Sequence, residues 1–385
     1  MSDTPITASR WAWLKRWLPV NWRAFVLWAM TILCVYVGNC IRAEQGEAPG
    51  PLPAPPMPIF PDSPFGWQPP SDIERKETLA LLATPRWSDT EASGMVGDPD
   101  DEAPLWRFYG KVTGQPFPAH DQGPVGACVA FGASAASEFS LAARIHLRRA
   151  PLQEFAPNVR EAVYAGSRIN CDPRNPIRGG DGSTGSRASR WLQKGTGGLL
   201  PKGSHGGQEL SAYDPRRCRE WGERGVPADL VTVCKDQPCQ TTLVTSAADA
   251  RMAIQQGYAL FVCSDVGFGN VGGDAILRDA EGFLKPRGTW YHCMCIAGYQ
   301  GGKRPGFLVV NSWGSRWLGG PSGRFTDIPE GSFWADFTVV DHMVRQGDSY
   351  AVAGVDGFRK RKIEPKDWIV SQPQAWRNNH AFLAP

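Results

Sequence analysis

Charge is nearly balanced in this 385-residue chain: 41 lysines and arginines stand against 38 aspartates and glutamates, a surplus too small to argue for a nucleic-acid partner. The basic run Arg359 Lys360 Arg361 Lys362 lies in a C-terminal tail and reads as a solvated segment. No phosphate loop, internal repeat or cofactor motif stands out, so no cofactor is expected. Histidine is scarce, at six residues. A structural zinc needs four converging ligands, and the close pair Cys293 and Cys295 has no matching second pair with suitable histidines. On a strand those two thiols point to one side, and they read as packing rather than as a metal site. Long stretches without charge are also rare, and the first decides the compartment.

Ala24 to Ile41 is eighteen residues without a charge, long enough to span a bilayer at about 1.5 Å per residue with help from its flanks. Arg10, Lys15, Arg16 and Arg23 precede it, and Trp11, Trp13, Trp17, Trp22 and Trp28 suit a membrane interface. Residues 1–23 are therefore expected in the cytoplasm, with the bulk exported to the periplasm or cell exterior. An uncleaved anchor over 24–41 is favoured; a cleaved signal peptide is the rival, and no clear small-residue cleavage pattern ends the stretch. Residues 42–103 read as stalk and linker. Ten of the 22 residues from Pro49 to Pro70 are proline, which favours extended polyproline backbone reaching roughly 70 Å. Ser71 with Glu74 three places on caps a short amphipathic helix over 71–83, and the acidic patch Asp98 to Glu102 closes the link. Residues 104–356 remain for a folded domain large enough for two subdomains, followed by the tail 357–385.

Within that domain the run Asp121 Gln122 Gly123 Pro124 Val125 Gly126 Ala127 Cys128 is followed far downstream by His292 and by Asn311 Ser312 Trp313 Gly314. An amide, a thiol, an imidazole and a second amide are the parts for attack on a carbonyl by an activated cysteine. A thiol attacks as thiolate, so its pKa must be lowered by a cation or by the positive end of a helix. The alanine-rich, proline-free run from Cys128 to about Arg148 predicts a helix with Cys128 in its first turn. Gln122 and the Cys128 backbone N–H could share a developing oxyanion, His292 could hold the thiol proton, and Asn311 could orient the ring. His120, His146, His205, His342 and His380 open no apolar run ending in Gly and Tyr, as His292 does through Gly298 and Tyr299.

On these residues the chain resembles the papain family of cysteine peptidases. Gln122 and Cys128 match its glutamine and nucleophile; His292 with Gly298 Tyr299, and Asn311 to Gly314, match its histidine and asparagine motifs. The resemblance covers roughly residues 104 to 355. It implies an α+β fold in which a helical domain and a barrel-like sheet domain meet at a cleft, with Cys128 on one wall and His292 on the other. It implies proteins or peptides as substrate and a Cys128, His292, Asn311 mechanism with Gln122 in the oxyanion hole. Trp313 would shield the histidine and asparagine contact, the loop at Gly182 would hold substrate backbone, and Tyr291 would shape the cleft. Where the family usually has a cysteine before the nucleophile and an aromatic after it, this chain has Val125 and Val129, so one family disulfide should be missing. The resemblance implies another between Cys171 and Cys218. Cys234 and Cys239 enclose a short Lys Asp Gln Pro turn and read as a second pair, in keeping with export. Nothing resembles the family's long helical inhibitory prosegment, so any latency must come from another device.

Helices are expected near 158–167, 186–194 and 247–256, and strands over 258–263, 292–299, 306–313 and 333–339. A cell wall peptide hydrolase or acyl transferase with the same thiol and histidine chemistry, or an inactive binding protein of this fold, are the alternative functions. The oligomeric state is not legible.

Overall fold

Alanine and serine give the run from Cys128 to His146 a high helix propensity, and their small size lets other elements approach on every side. Only Leu141, Arg144 and His146 of that helix escape full burial. The computed structural model describes residues 66–369, apart from 148–150, 152–154, 270–274, 316 and 319–324. All belong to one unit, residues 60–385. The expected membrane span lies outside them, as do most of the proline stalk and the end of the tail. Among the described residues no helix is long and apolar enough to cross a membrane.

In chain order the helices are α1 (Asp72–Leu81), α2 (Leu105–Thr113), α3 (Cys128–His146), α4 (Arg160–Ala165), α5 (Gly185–Leu192), α6 (Pro215–Arg224), α7 (Ala228–Lys235), α8 (Ala247–Gln255), α9 (Phe337–Val344) and α10 (Pro365–Ile369). The strands are β1 (Ala103–Pro104), β2 (Ser204–His205), β3 (Gln208–Glu209), β4 (Gln240–Leu243), β5 (Leu260–Val266), β6 (Thr289–Gln300), β7 (Gly306–Val310), β8 (Ser332–Asp336) and β9 (Tyr350–Ala353). Seven of them form one antiparallel sheet in the order β4-β9-β5-β6-β7-β8, with β1 added to β6. Helices gather in the first half and strands in the second, the α+β division expected.

The central packing is α3 on β6. Gly132 faces the strand so closely that a Cβ there would lie 2.9 Å from Cys293 Sγ and 3.2 Å from the Met294 carbonyl oxygen. A mid-helix glycine, which costs about 1 kcal/mol against alanine, is explained by this approach. On its other side α3 is tied to α4 by a buried ion pair, Glu138 with Arg160 at 3.0 Å, and Glu138 also accepts the Asn158 backbone N–H at 2.8 Å. Such a pair is costly to break from one side, so it fixes the mutual placement of the two helices.

The folded region is longer at both ends than 104–356. Trp67, Leu82 and Trp87 are buried, and the carbonyls of Asp98 and Asp101 both accept from Gln255 Nε2. The stretch from 66 to 103 is therefore largely packed structure rather than a linker. The basic cluster in the tail is not simply solvated either: Arg361 is buried, with its guanidinium 4.6 Å from the Tyr258 ring. A flat cation over an aromatic face loses less on burial than a lysine would, which sequence composition cannot reveal.

Candidate active site

The turn before α3 and the end of β7 are stitched together by main-chain bonds. Gln122 N–H donates to the Ser312 carbonyl at 2.8 Å and Gly314 N–H to the His120 carbonyl at 2.9 Å, so residues 120–122 lie along 312–314. This brings Gln122 beside Asn311 although 189 positions separate them. Ser312 Oγ donates to Gln122 Oε1 at 2.7 Å, and Gln122 Nε2 donates to the Val125 carbonyl at 2.9 Å. The amide is thus held from both ends, with its nitrogen toward the loop leading to Cys128. Tyr213 Oη, donating to the Gln122 carbonyl at 3.0 Å, fixes the backbone as well. Sequence reasoning assigned no role to Ser312, although it lies inside the Asn311 motif, or to Tyr213, which carries no local signal.

His292 lies on β6, fully buried, and its Nε2 is 2.7 Å from Asn311 Oδ1. A carbonyl oxygen only accepts, so Nε2 carries the proton and Nδ1 is the basic nitrogen of the neutral ring. Ser312 N–H also donates to Asn311 Oδ1, at 2.7 Å, which fixes that amide. The Trp313 ring lies 4.6 Å from the imidazole and 4.6 Å from Trp290, with Trp317 at 5.3 Å from Trp313. The aromatic cluster packs against the imidazole.

Cys128 is the first residue of α3 and has no solvent exposure. Its sulfur meets the backbone N–H of Cys293, the residue after His292, together with the N–H groups of Val129 and of Cys128 itself. Burial pushes the thiol pKa well above its usual range, the nearby Cys293 thiol adds to that rise, and the three N–H groups oppose it without prevailing. Cys263 stands directly across from Cys293 on β5, so three buried thiols share this region.

A short extended segment from the N-terminal side packs beside this region. Trp67 N–H donates to the carbonyl of Tyr291, the residue before His292, at 3.0 Å. Ser183 N–H donates to the Gly66 carbonyl at 2.8 Å, and Gln68 N–H to the Ser183 carbonyl at 2.9 Å. The Trp67 indole stacks on the Tyr291 ring at 6.2 Å, and a Cβ on Gly182 would meet the Gly66 carbonyl oxygen at 2.7 Å. Gly182 and Tyr291, both expected to meet substrate, thus meet this segment. A depression of about 430 Å³ is lined by residues such as Asp265, Arg287 and His342, and it includes none of Cys128, His292 and Asn311.

Neither expected disulfide is formed. All eight cysteines among the described residues are free. Cys171 Sγ donates to the Ser167 carbonyl at 3.1 Å, while Cys218 is engaged by the Tyr213 hydroxyl. Cys239 is engaged by Ser137, and its N–H is tied to the Leu192 carbonyl at 2.8 Å, while Cys234 is buried on α7. Burial raises the pKa of each of these four thiols, so none is poised as a thiolate.

No family model matches the chain, and no curated protein matches it. Solved structures do. Xylellain, a cysteine protease from Xylella fastidiosa, is 19% identical, with 76% of this chain and 97% of that one covered and a TM-score of 0.45. The digestive procathepsin L2 proteinase of Tenebrio molitor larval midgut is 16% identical over 91% of this chain and 95% of its own, with a TM-score of 0.44. The Amb a 11 cysteine protease of ragweed pollen, in its proform, is 17% identical over 84% and 87%, with a TM-score of 0.45. Likeness at this level decides nothing about the chemistry.

Proposed function

We propose that this chain is a papain-like cysteine peptidase that hydrolyses peptide bonds through Cys128, with its catalytic domain tethered outside the cytoplasm by residues 24–41. The observation that carries the reading is the 2.7 Å contact of His292 Nε2 with Asn311 Oδ1, beside a helix whose first residue is a cysteine. That contact leaves Nδ1 as the base. In the open enzyme, Nδ1 takes the Cys128 proton and the thiolate attacks the scissile carbonyl, breaking its π bond. The resulting oxyanion is held by the Cys128 N–H and by Gln122 Nε2, whose orientation Ser312 maintains. Collapse expels the amine, which takes the proton from the imidazolium. Water then adds to the thioester with His292 as base, releasing the acid and restoring the thiol.

The test is to expose the purified full chain to an epoxide that labels activated thiols and to measure peptide cleavage beside Cys128→Ala. Cleavage should fall on the order of 10⁴-fold or more in the variant. A folded protein in which Cys128 reacts but no peptide is cut would overturn the reading. Cleavage confined to cell wall fragments would replace it with a cell wall peptide hydrolase.

A further inference from the structure

The turn Gly123 to Ala127 and the run Gly179 to Gly185 contain no cysteine, so no disulfide can join them. A carboxylate joins them instead. Asp181 Oδ2 accepts the Gly126 N–H at 3.2 Å, and a Cβ on Gly126 would lie 2.9 Å from Asp181 Cβ, so glycine is what lets the two loops come this close. The Gly126 N–H belongs to the same peptide group as the Val125 carbonyl. That carbonyl accepts from Gln122 Nε2 at 2.9 Å and from Ala127 N–H at 2.7 Å. One peptide group is therefore gripped at its nitrogen by Asp181 and at its oxygen by the amide assigned to the oxyanion. The grip matters because the peptide before a glycine can turn over into orientations that a Cβ would close. Turned over, it would take the acceptor away from Gln122 Nε2.

We propose that Asp181 is a positioning residue for the oxyanion hole: by holding the Gly126 N–H it keeps the Val125 carbonyl turned to Gln122 Nε2, and so keeps the second amide hydrogen of Gln122 and the Cys128 N–H aimed at one oxygen. This rests on the peptidase reading. The carboxylate is itself anchored in the helical half. Its Oδ1 accepts the hydroxyl of Tyr164, a buried residue of α4, at 3.1 Å, and the same hydroxyl oxygen accepts the Gly182 N–H at 3.3 Å. Burial raises the Tyr164 hydroxyl pKa, so that group keeps its proton and donates. Arg168, four residues further on and also buried, lies 5.2 Å from the Tyr164 ring. Its guanidinium donates to the carbonyls of Gly179, Gly180 and Gly182, which holds the loop on both sides of Asp181. A rigid loop on a buried arginine can thus transmit the position of α4 to the turn before Cys128.

The test measures peptide cleavage, epoxide labelling of Cys128 and hydrogen exchange of the Gly126 amide in the full chain and in Asp181→Ala, Asp181→Asn and Tyr164→Phe. In Asp181→Ala, kcat should fall about 10- to 100-fold with KM changed by less than about threefold, because the misplaced donors serve the transition state. Epoxide labelling needs the thiol but no acyl oxyanion, and should slow by less than about threefold. Asp181→Asn keeps an acceptor for Gly126 and can donate to Tyr164 Oη, so its kcat should recover to within about fivefold of the wild type. Tyr164→Phe should lower kcat less than Asp181→Ala does and add nothing on top of it, since both break one chain of bonds. An unchanged kcat, or equal losses of cleavage and labelling in folded Asp181→Ala, would overturn the proposal. If the wild type cuts no peptide, the peptidase reading fails and exchange at Gly126 decides the clamp alone: a rate about tenfold faster in Asp181→Ala upholds it, and an unchanged rate sinks it.

Discussion

Helices α1 and α3 flank the same site and are attached by opposite means. In α3 nearly every side chain is buried among apolar neighbours, with Phe139 packed 4.4 Å from Phe117 and 5.8 Å from Tyr109. In α1 Ile73 is 71% exposed, and ion pairs and single hydrogen bonds hold the helix down. Apolar burial resists local opening because each lost contact exposes area to water, whereas polar surface contacts exchange with water at little net cost. Helix α3 is thus fixed by the core, whereas α1 is held mainly by polar surface contacts.

That contrast can be broken most forcefully in the core. Phe139→Ala should lower global stability by about 3–5 kcal/mol, read from urea unfolding. A loss below about 1 kcal/mol would mean that α3 is less essential than its burial implies.

At the seam between the two regions, burial raises the Asp348 carboxyl pKa to about 7, against the lowering effect of the bonds from Trp67, Ser186 and Gly185. The folded protein therefore holds this proton more tightly than the unfolded chain does. The resulting stability is fully present below the unfolded value of 3.8 and is lost as pH rises through about 7. Between pH 5 and 8 the wild type should lose on the order of 2 kcal/mol that Asp348→Asn does not, seen as a difference in the pH slope of the urea midpoint. Parallel slopes would show that the carboxyl is ionised throughout.

The smallest effect sharpens the comparison from the other side. Ser71 Oγ accepts the Glu74 N–H at 3.2 Å as the cap of α1. Ser71→Ala should weaken α1 by about 1 kcal/mol, visible as faster hydrogen exchange in its amides with the urea midpoint of the core unchanged.

Local signals carried much of the site. The start of the Cys128 helix was legible because a glycine and proline turn precedes an alanine run, and the end of the run came within two residues of the expected Arg148. The α1 cap was legible for the same reason, since Ser71 and Glu74 lie three positions apart. The strands at 260–266, 289–300, 306–310 and 332–336 correspond to the four apolar runs, with their ends shifted. Helix α6 was not among the expected helices despite a readable start, Asp214 accepting from Arg216 N–H with Pro215 between them, because its many charged residues leave only a narrow apolar stripe. Nothing local announced β9, which enters the sheet between β4 and β5, or Asp348, a lone acidic residue ahead of that strand. Trp67 was hidden by the prolines around it, which were read as stalk.

By itself, the sequence determined which chemistry is on offer: a cysteine at a helix start, a histidine opening an apolar strand, and an asparagine beside a serine and a tryptophan. Those features are local, because caps, turns and alternation act over a few residues. The pairing of His292 with Asn311, the grip of Ser312 on Gln122, the absence of both disulfides and the burial of the Cys128 thiol were decided only by the tertiary structure. Each depends on which distant surfaces meet, and that is settled by the packing of the whole core rather than by any neighbour in the chain.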